Sequence, residues 1–490
     1  MTVVVSTRDD FSLEHFRRVA YGAESVEISQ HACHMMEQSR AAFMELLESD
    51  RTQFIYGTTS GAGMAAKIQV PPAEQLAWAR NFHRADSGRG FGGGYLDERV
   101  VRGIVFARLA NLVSGHAKVR PVLAKRVAAL LEGPMPAVPL DGQVGAGEIL
   151  PMAHVLRPLD RDDLEEAEGM ALVNGSPCSA ALAADAALHA RNRLEQAEAL
   201  FALSIEAFRA PLDAYDEALD DLWGDEHDAS ALRSLRRHLA GADEQARRSY
   251  QAPVSYRILP RVLGQAHRSV AAVEKAAEVS LRSVTDNPVY IPPDNEHPLG
   301  RAFSTGGYHN SMAYPALNGL SAAWADLALV AERQITALNT AATSGLPVNL
   351  SPSGSAGKST EGTYAYGWAA SGYVEQARAA AVPALLPAVV NNPQNDVASP
   401  TFSSYRRERR AAECLDGVLV ILALVSSQAL FVDGQREPAP ALSSLLALVR
   451  EIVPPIDGKR PRDLSAQCAR LQELLGRATL TGELATVGGG

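Results

Sequence analysis

Five long stretches of this chain carry apolar residues at helical spacing, and β-branched alternation of the kind a strand needs is scarce. They cover 97–132, 178–222, 262–285, 312–342 and 404–432, filled mainly with Ala, Leu, Arg and Glu. In the fourth, Leu320, Trp324, Leu327, Val330 and Ile335 recur at near-helical spacing, with Glu332 and Arg333 among them. Such a stripe belongs in a core or a subunit interface. The expected fold class is therefore mostly α. No internal repeat of fixed period is visible, and Gly-rich or polar loops separate the helical stretches. Binding and catalytic residues concentrate on loops held by a rigid scaffold, so the loops are where function is sought.

Composition narrows the function classes. The 490 residues are 47% hydrophobic and 21% charged, enough for a large core. The net charge of −10 disfavours nucleic acid, whose phosphates need a basic surface. Cys33, Cys178, Cys414 and Cys468 are scattered with no CxxC pair, which argues against a disulfide framework and a structural zinc site. The acidic start MTVVVSTRDDFSLEH does not read as a signal peptide. The most apolar run, 418–425, is flanked by Ser426, Ser427 and Gln428 and reads as a buried helix rather than a membrane span. The expected location is cytoplasmic, with no membrane or nucleic-acid partner and no metal.

The loops carry the specific signal. Residues 56–63, YGTTSGAG, set a tyrosine among glycines in a loop able to place a phenol over a pocket. RLANLVSGHAKVRP follows at 108–121, GPMPAVPLDGQVGAGEILPMAH at 133–154 and EGMALVNGS at 168–176. Then come QAPVSYRILP at 251–260, SVTDNP at 283–288, STGGYHN at 304–310 and QNDVAS at 394–399. In this order the motifs resemble those of the histidine and aromatic amino-acid ammonia-lyases over nearly the whole chain. The resemblance implies a loop-bearing active-site region over 1–230, then a long central helix bundle and C-terminal helices over 231–490. It also implies a homotetramer acting on a small-molecule substrate.

One departure dominates. In that family an Ala-Ser-Gly tripeptide cyclises and loses water to give the electrophile 4-methylideneimidazole-5-one (MIO). Here the segment reads Gly145, Ala146, Gly147, Glu148, and no serine stands between Ala146 and Gly147. Between Ser114 and Ser176 there is no Ser, Thr or Cys at all, so no shift of register supplies a precursor. MIO is not expected, and no other cofactor is indicated.

By resemblance, Tyr56 corresponds to the general base, Asn174 to the asparagine near the substrate amine, and Arg257 to a carboxylate clamp suited to bidentate contact. Gln251, Tyr308 and Asn395 fall at substrate-contact positions, and His83 lies near the position that selects the side chain. Ala146 and Gly147 are what remains of the cofactor loop. The turn at 145–147 precedes an apparent helix start, where developing negative charge is favoured. Thr59, Val254, Gly307 and Asn395 replace family residues that handle the amine. The reading is a MIO-independent lyase-like enzyme of specialised biosynthesis. Tyr56 would begin an elimination, isomerisation or condensation on a carboxylate or carbonyl substrate. The alternatives are an inactive binding or assembly protein and a conventional histidine, tyrosine or phenylalanine ammonia-lyase.

Overall fold

A computed structural model describes residues 2–81, 92–245, 247–352, 362–389, 393–457 and 464–480. The chain is mostly helical, and the expected long helices form as Pro177–Phe208, Leu259–Arg282, Ala313–Asn339 and Thr401–Val432. The stretch at 97–132 divides in two, Glu98–Val113 and Pro121–Ala129. Gly115, with φ +79, turns the chain out of the first helix, and Pro121 opens the second, where its missing N–H costs nothing. The stretch at 178–222 likewise stops at Phe208 and resumes as Ala218–Trp223.

Two compact units emerge: Met1–Leu188 with Ala272–Leu317 and Pro383–Arg406, and His189–Ala271 with Asn318–Val382 and Arg407–Gly490. This differs from the single cut expected after residue 230. The four long helices begin among residues of one unit and end among those of the other, so the chain returns to each unit more than once.

In the first unit, Thr2–Val5 pairs in parallel with Ser25–Ile28, and Val289–Ile291 pairs antiparallel with Arg301–Phe303. The helix Glu98–Val113 is its centre, with residues 100–113 all buried. The ring of Phe106 lies 4.8 Å from that of Phe11 and 6.5 Å from that of Phe16. Gly103 permits this, because a Cβ there would sit 2.4 Å from the Phe16 ring. Each buried polar side chain of this helix finds a partner. Arg102 donates to the carbonyls of Val19 and Leu131 at 3.0 and 2.9 Å, and Asn111 Oδ1 accepts from Thr285 N at 2.8 Å. Burying such groups is tolerable only when they are bonded.

In the second unit, Leu320, Trp324, Leu327, Val330 and Ile335 are all buried, as their spacing implied. Trp324 Nε1 donates to Glu408 at 2.9 Å, and Arg193 makes a two-pronged ion pair with Asp416 at 2.7 and 3.0 Å. The helix Thr401–Val432 is long and apolar enough to cross a membrane, yet its most apolar stretch is 83% buried inside the protein. It continues, as the stretch at 404–432 implied, through Ser426, Ser427 and Gln428, where the apolar run ends. Gln428 is buried there because its amide donates to the carbonyls of Leu350 and Ile456 and accepts from Ile456 N.

Candidate active site

The tyrosine loop is folded by its own small residues. Thr59 accepts from Ile55 N at 2.7 Å and donates to the Gln53 carbonyl, and the N–H groups of Thr58, Thr59 and Ser60 converge on the Ile55 carbonyl. Thr59 thus supports a turn at the place where the family resemblance implies an asparagine. Gly57 takes φ +66 against Met170, whose Cε would lie 2.2 Å from a Cβ. The outcome is a half-buried Tyr56 whose phenol oxygen accepts a hydrogen bond from Gly63 N at 2.8 Å. Burial raises the Tyr56 pKa above its ordinary value. The Gly63 N–H opposes that rise, and the nearby Tyr308 phenol adds to it.

Tyr56, Trp78, Asn81, Ile149, Met170 and Asn395 line a cavity of about 330 Å³ in the first unit. Ala62 and Gly63 complete it, and a Cβ on Gly63 would lie 3.2 Å from the Asn395 amide nitrogen. Sequence reasoning missed four of these residues. Trp78 and Asn81 are three apart on the helix Gln75–Asn81, so they share a face, but nothing in that short helix marks the face as a pocket wall. Ile149 and Met170 stand within the motifs at 133–154 and 168–176, but neither was singled out there.

The former cofactor loop is drawn tight. Gly145 O accepts from Ser399 N at 3.1 Å, and Gly147 O would lie 2.9 Å from a Cβ on Gly145. A Cβ on Gly147 would meet the Tyr308 ring at 3.6 Å, so that ring lies over the turn beside Ala146. The next residue, Glu148, was not singled out from sequence. Its buried carboxylate accepts from Cys178 N at 2.5 Å and Ser179 N at 2.7 Å, in the first turn of Pro177–Phe208. Burial pushes its pKa up to about 7, with the Ser179 and Cys178 bonds acting in the opposite sense. The helix starting after the loop, Ile149–Val155, has only seven residues. The longer helix start nearby is already occupied by Glu148. The electrostatic help expected from a helix end at 145–147 is therefore largely spent inside the protein.

Asn174 is 7% exposed. Its Nδ2 donates to the Asn287 carbonyl, its Oδ1 accepts from Gly175 N at 2.8 Å, and its carbonyl accepts from Arg108 at 2.7 Å. Those contacts use one of its two amide hydrogens. Arg108 also pairs with Asp286 at 2.8 Å, both side chains essentially inaccessible. Asn287 Oδ1 in turn accepts from Thr305 N at 2.9 Å, and Thr305 Oγ1 accepts from Gly307 N at 3.1 Å. Asn287 thus fixes both the Asn174 turn and the Tyr308 loop.

Tyr56, Tyr308, Asn395 and the turn carrying Ala146 and Gly147 therefore share one region, and Asn174 is tied through Asn287 to the Tyr308 loop. Gln251 and Arg257 belong to the second unit, where both are exposed; Arg257 Nε donates to the Ala252 carbonyl at 2.9 Å. That segment is anchored by buried Tyr256, stacked on Phe208 at 4.5 Å. His83 lies outside the described residues.

The model of the family described as "Aromatic amino acid lyase" matches residues 11–162 and 156–451. A histidine ammonia-lyase of Geobacillus thermodenitrificans (strain NG80-2) is 29% identical, covering 98% of this chain and 99% of its own. The tyrosine aminomutase from Streptomyces globisporus matches with a TM-score of 0.86 at 25% identity, over 99% of both chains. The ergothioneine-degrading ergothionase from Treponema denticola matches at 0.86 over 98% of this chain and 99% of its own, with 18% identity, a likeness of fold. Motif order, fold and near-complete coverage agree: the chain belongs to the aromatic amino acid lyase family.

Proposed function

We propose that this chain is an enzyme of that family that works without the chain-derived electrophile, using Tyr56 as general base on a small carboxylate or carbonyl substrate. The carrying observation is the loop itself. Forming MIO requires a central residue that eliminates its side-chain group. The loop instead places Ala146 directly before Gly147, with Gly145 bonded to Ser399 and Gly147 under the Tyr308 ring. The residues present do not fit the group, and no step is routed through it.

What remains is proton chemistry. Tyr56 borders the cavity and takes an N–H bond at its oxygen, which favours the phenolate. The second amide hydrogen of Asn174 is proposed to stabilise the anion formed. Arg257 is proposed as the carboxylate clamp, supplied from another copy in a homotetramer. Gln251, His83 and Asn395 are proposed substrate contacts, in a cytoplasmic enzyme of specialised biosynthesis.

The curated relatives favour a second reading, since those with near-complete coverage are named histidine ammonia-lyase. Intact mass and turnover separate the two. We expect the full encoded mass and no ultraviolet-absorbing unsaturated acid from histidine, tyrosine or phenylalanine. A mass lower by two waters, together with deamination of histidine, would establish the second reading instead. Retention of the biological product by Tyr56→Phe would remove the proposed base and leave a non-catalytic role.

A further inference from the structure

The former cofactor loop also borders a small cavity of about 20 Å³ in the first unit. Gln143, Glu148, Ser179 and Ser399 are its polar lining, beside Leu150 and Phe402. That volume has room for one water molecule. Gln143 is only 7% exposed, and its Nε2 makes a long bond to the Asp141 carbonyl at 3.3 Å. Its Oε1 is buried and has no partner among the described residues. A buried amide oxygen without a donor is costly and calls for an explanation. Glu148, on the same cavity, takes the Cys178 N–H at one carboxylate oxygen and the Ser179 N–H at the other. A carboxylate offers about four acceptor sites, so each oxygen has capacity left.

Both groups therefore present acceptors, and the cavity calls for a donor. A small cation fits poorly. The first N–H groups of the helix Pro177–Phe208 already face Glu148, and that end of a helix repels positive charge. Burial also favours the uncharged carboxyl, which holds a cation weakly. Water suits both states of Glu148. It donates to Gln143 Oε1 in each, and at Glu148 it donates to the carboxylate or accepts from the carboxyl.

We propose that this cavity is a site for one ordered water that donates to Gln143 Oε1 and bonds the Glu148 carboxyl, and that Gln143 thereby holds the turn at 145–147 in place. The turn lies between the two bridged residues, and Ser399 N already fixes one point of it by bonding the Gly145 carbonyl at 3.1 Å. The water closes the link from residue 143 to residue 148. The inference concerns the support of the turn and stands whether or not Tyr56 is the base.

The first test is a high-resolution crystal structure of the full-length protein. One density peak is expected at about 2.6–3.2 Å from both Gln143 Oε1 and a Glu148 carboxylate oxygen. It should be present in crystals grown on either side of pH about 7. No peak, a direct bond between Gln143 and Glu148, or an ion with short metal-like contacts overturns the site. The second test is Gln143→Met, close in length but without the acceptor. The peak should be lost, and the amides of Ser179 and Ser399, which bond Glu148 and Gly145, should exchange about tenfold faster. Amides inside the helix Glu98–Val113 should keep their rates. Unchanged exchange at Ser179 and Ser399 overturns the supporting role of Gln143, as does equal acceleration in that helix. Should Gln143→Met fail to fold, Gln143→Asn, which withdraws the amide by one methylene, is read in the same way.

Discussion

The Glu148 carboxylate accepts the Ser179 backbone N–H at 2.7 Å, tying the residue after the former cofactor loop to the start of a 32-residue helix. Its bonds to Ser179 and Cys178 favour the charged form, but burial outweighs them and raises the pKa from 4.5 to about 7. A carboxyl that binds its proton more tightly when folded stabilises the fold fully below its unfolded pKa and loses that contribution as pH rises through the folded one. Stability should therefore fall between pH about 4.5 and about 7 by roughly 3 kcal/mol at most, then level off. Thermal unfolding measured across that range should show this slope in the wild type and a much flatter one in Glu148→Gln. Parallel slopes in the two proteins would exclude Glu148 as the source.

Activity that depends on Tyr56 as base should rise with pH from neutrality into the alkaline range, because burial raises the phenol above its ordinary value and only its ionised form accepts the proton. Tyr56→Phe should lower the rate of proton removal from the substrate, read as turnover, by about 100-fold or more while leaving the unfolding midpoint nearly unchanged. A pH profile already flat at neutrality would point to a different base.

Gly57→Ala should destabilise the first unit by about 1–3 kcal/mol, since the residue sits at φ +66 and its Cβ would enter the Met170 side chain. Trimming Met170 as well, in Gly57→Ala with Met170→Ala, relieves the overlap but not the backbone strain. Denaturant unfolding of the two single variants and the double variant should therefore show partial, non-additive recovery.

Asp286→Ala leaves the Arg108 guanidinium buried without its carboxylate and should cost about 3–5 kcal/mol. Because Arg108 also donates to the Asn174 carbonyl, the same change should loosen that turn. Faster amide hydrogen exchange at Gly175 and Ser176 should accompany the loss of stability. Replacing both partners, Arg108→Met with Asp286→Leu, should cost less than Asp286→Ala alone, because the Arg108 guanidinium no longer stays buried without its carboxylate.

Local chemistry in the sequence determined the helical elements, the order of the loops and the absence of a serine beside Ala146. Helical periodicity and Gly or Pro at the breaks are properties of neighbouring residues, which is why the helices Leu259–Arg282 and Ala313–Asn339 were legible almost to their ends. The break between Glu98–Val113 and Pro121–Ala129 was missed although Gly115 and Pro121 announce it, because apolar residues continue through both. Only the tertiary structure decided what the loop residues do. Glu148 reaches residues 178 and 179, Asn174 gives an amide hydrogen to Asn287, and Tyr308 comes to lie over Gly147. Each joins groups far apart along the chain, and burial then sets their protonation and their available bonds. Spacing in a sequence carries no record of such contacts, so the motif could name the family while the pocket wall of Trp78 and Met170 had to be seen in the fold.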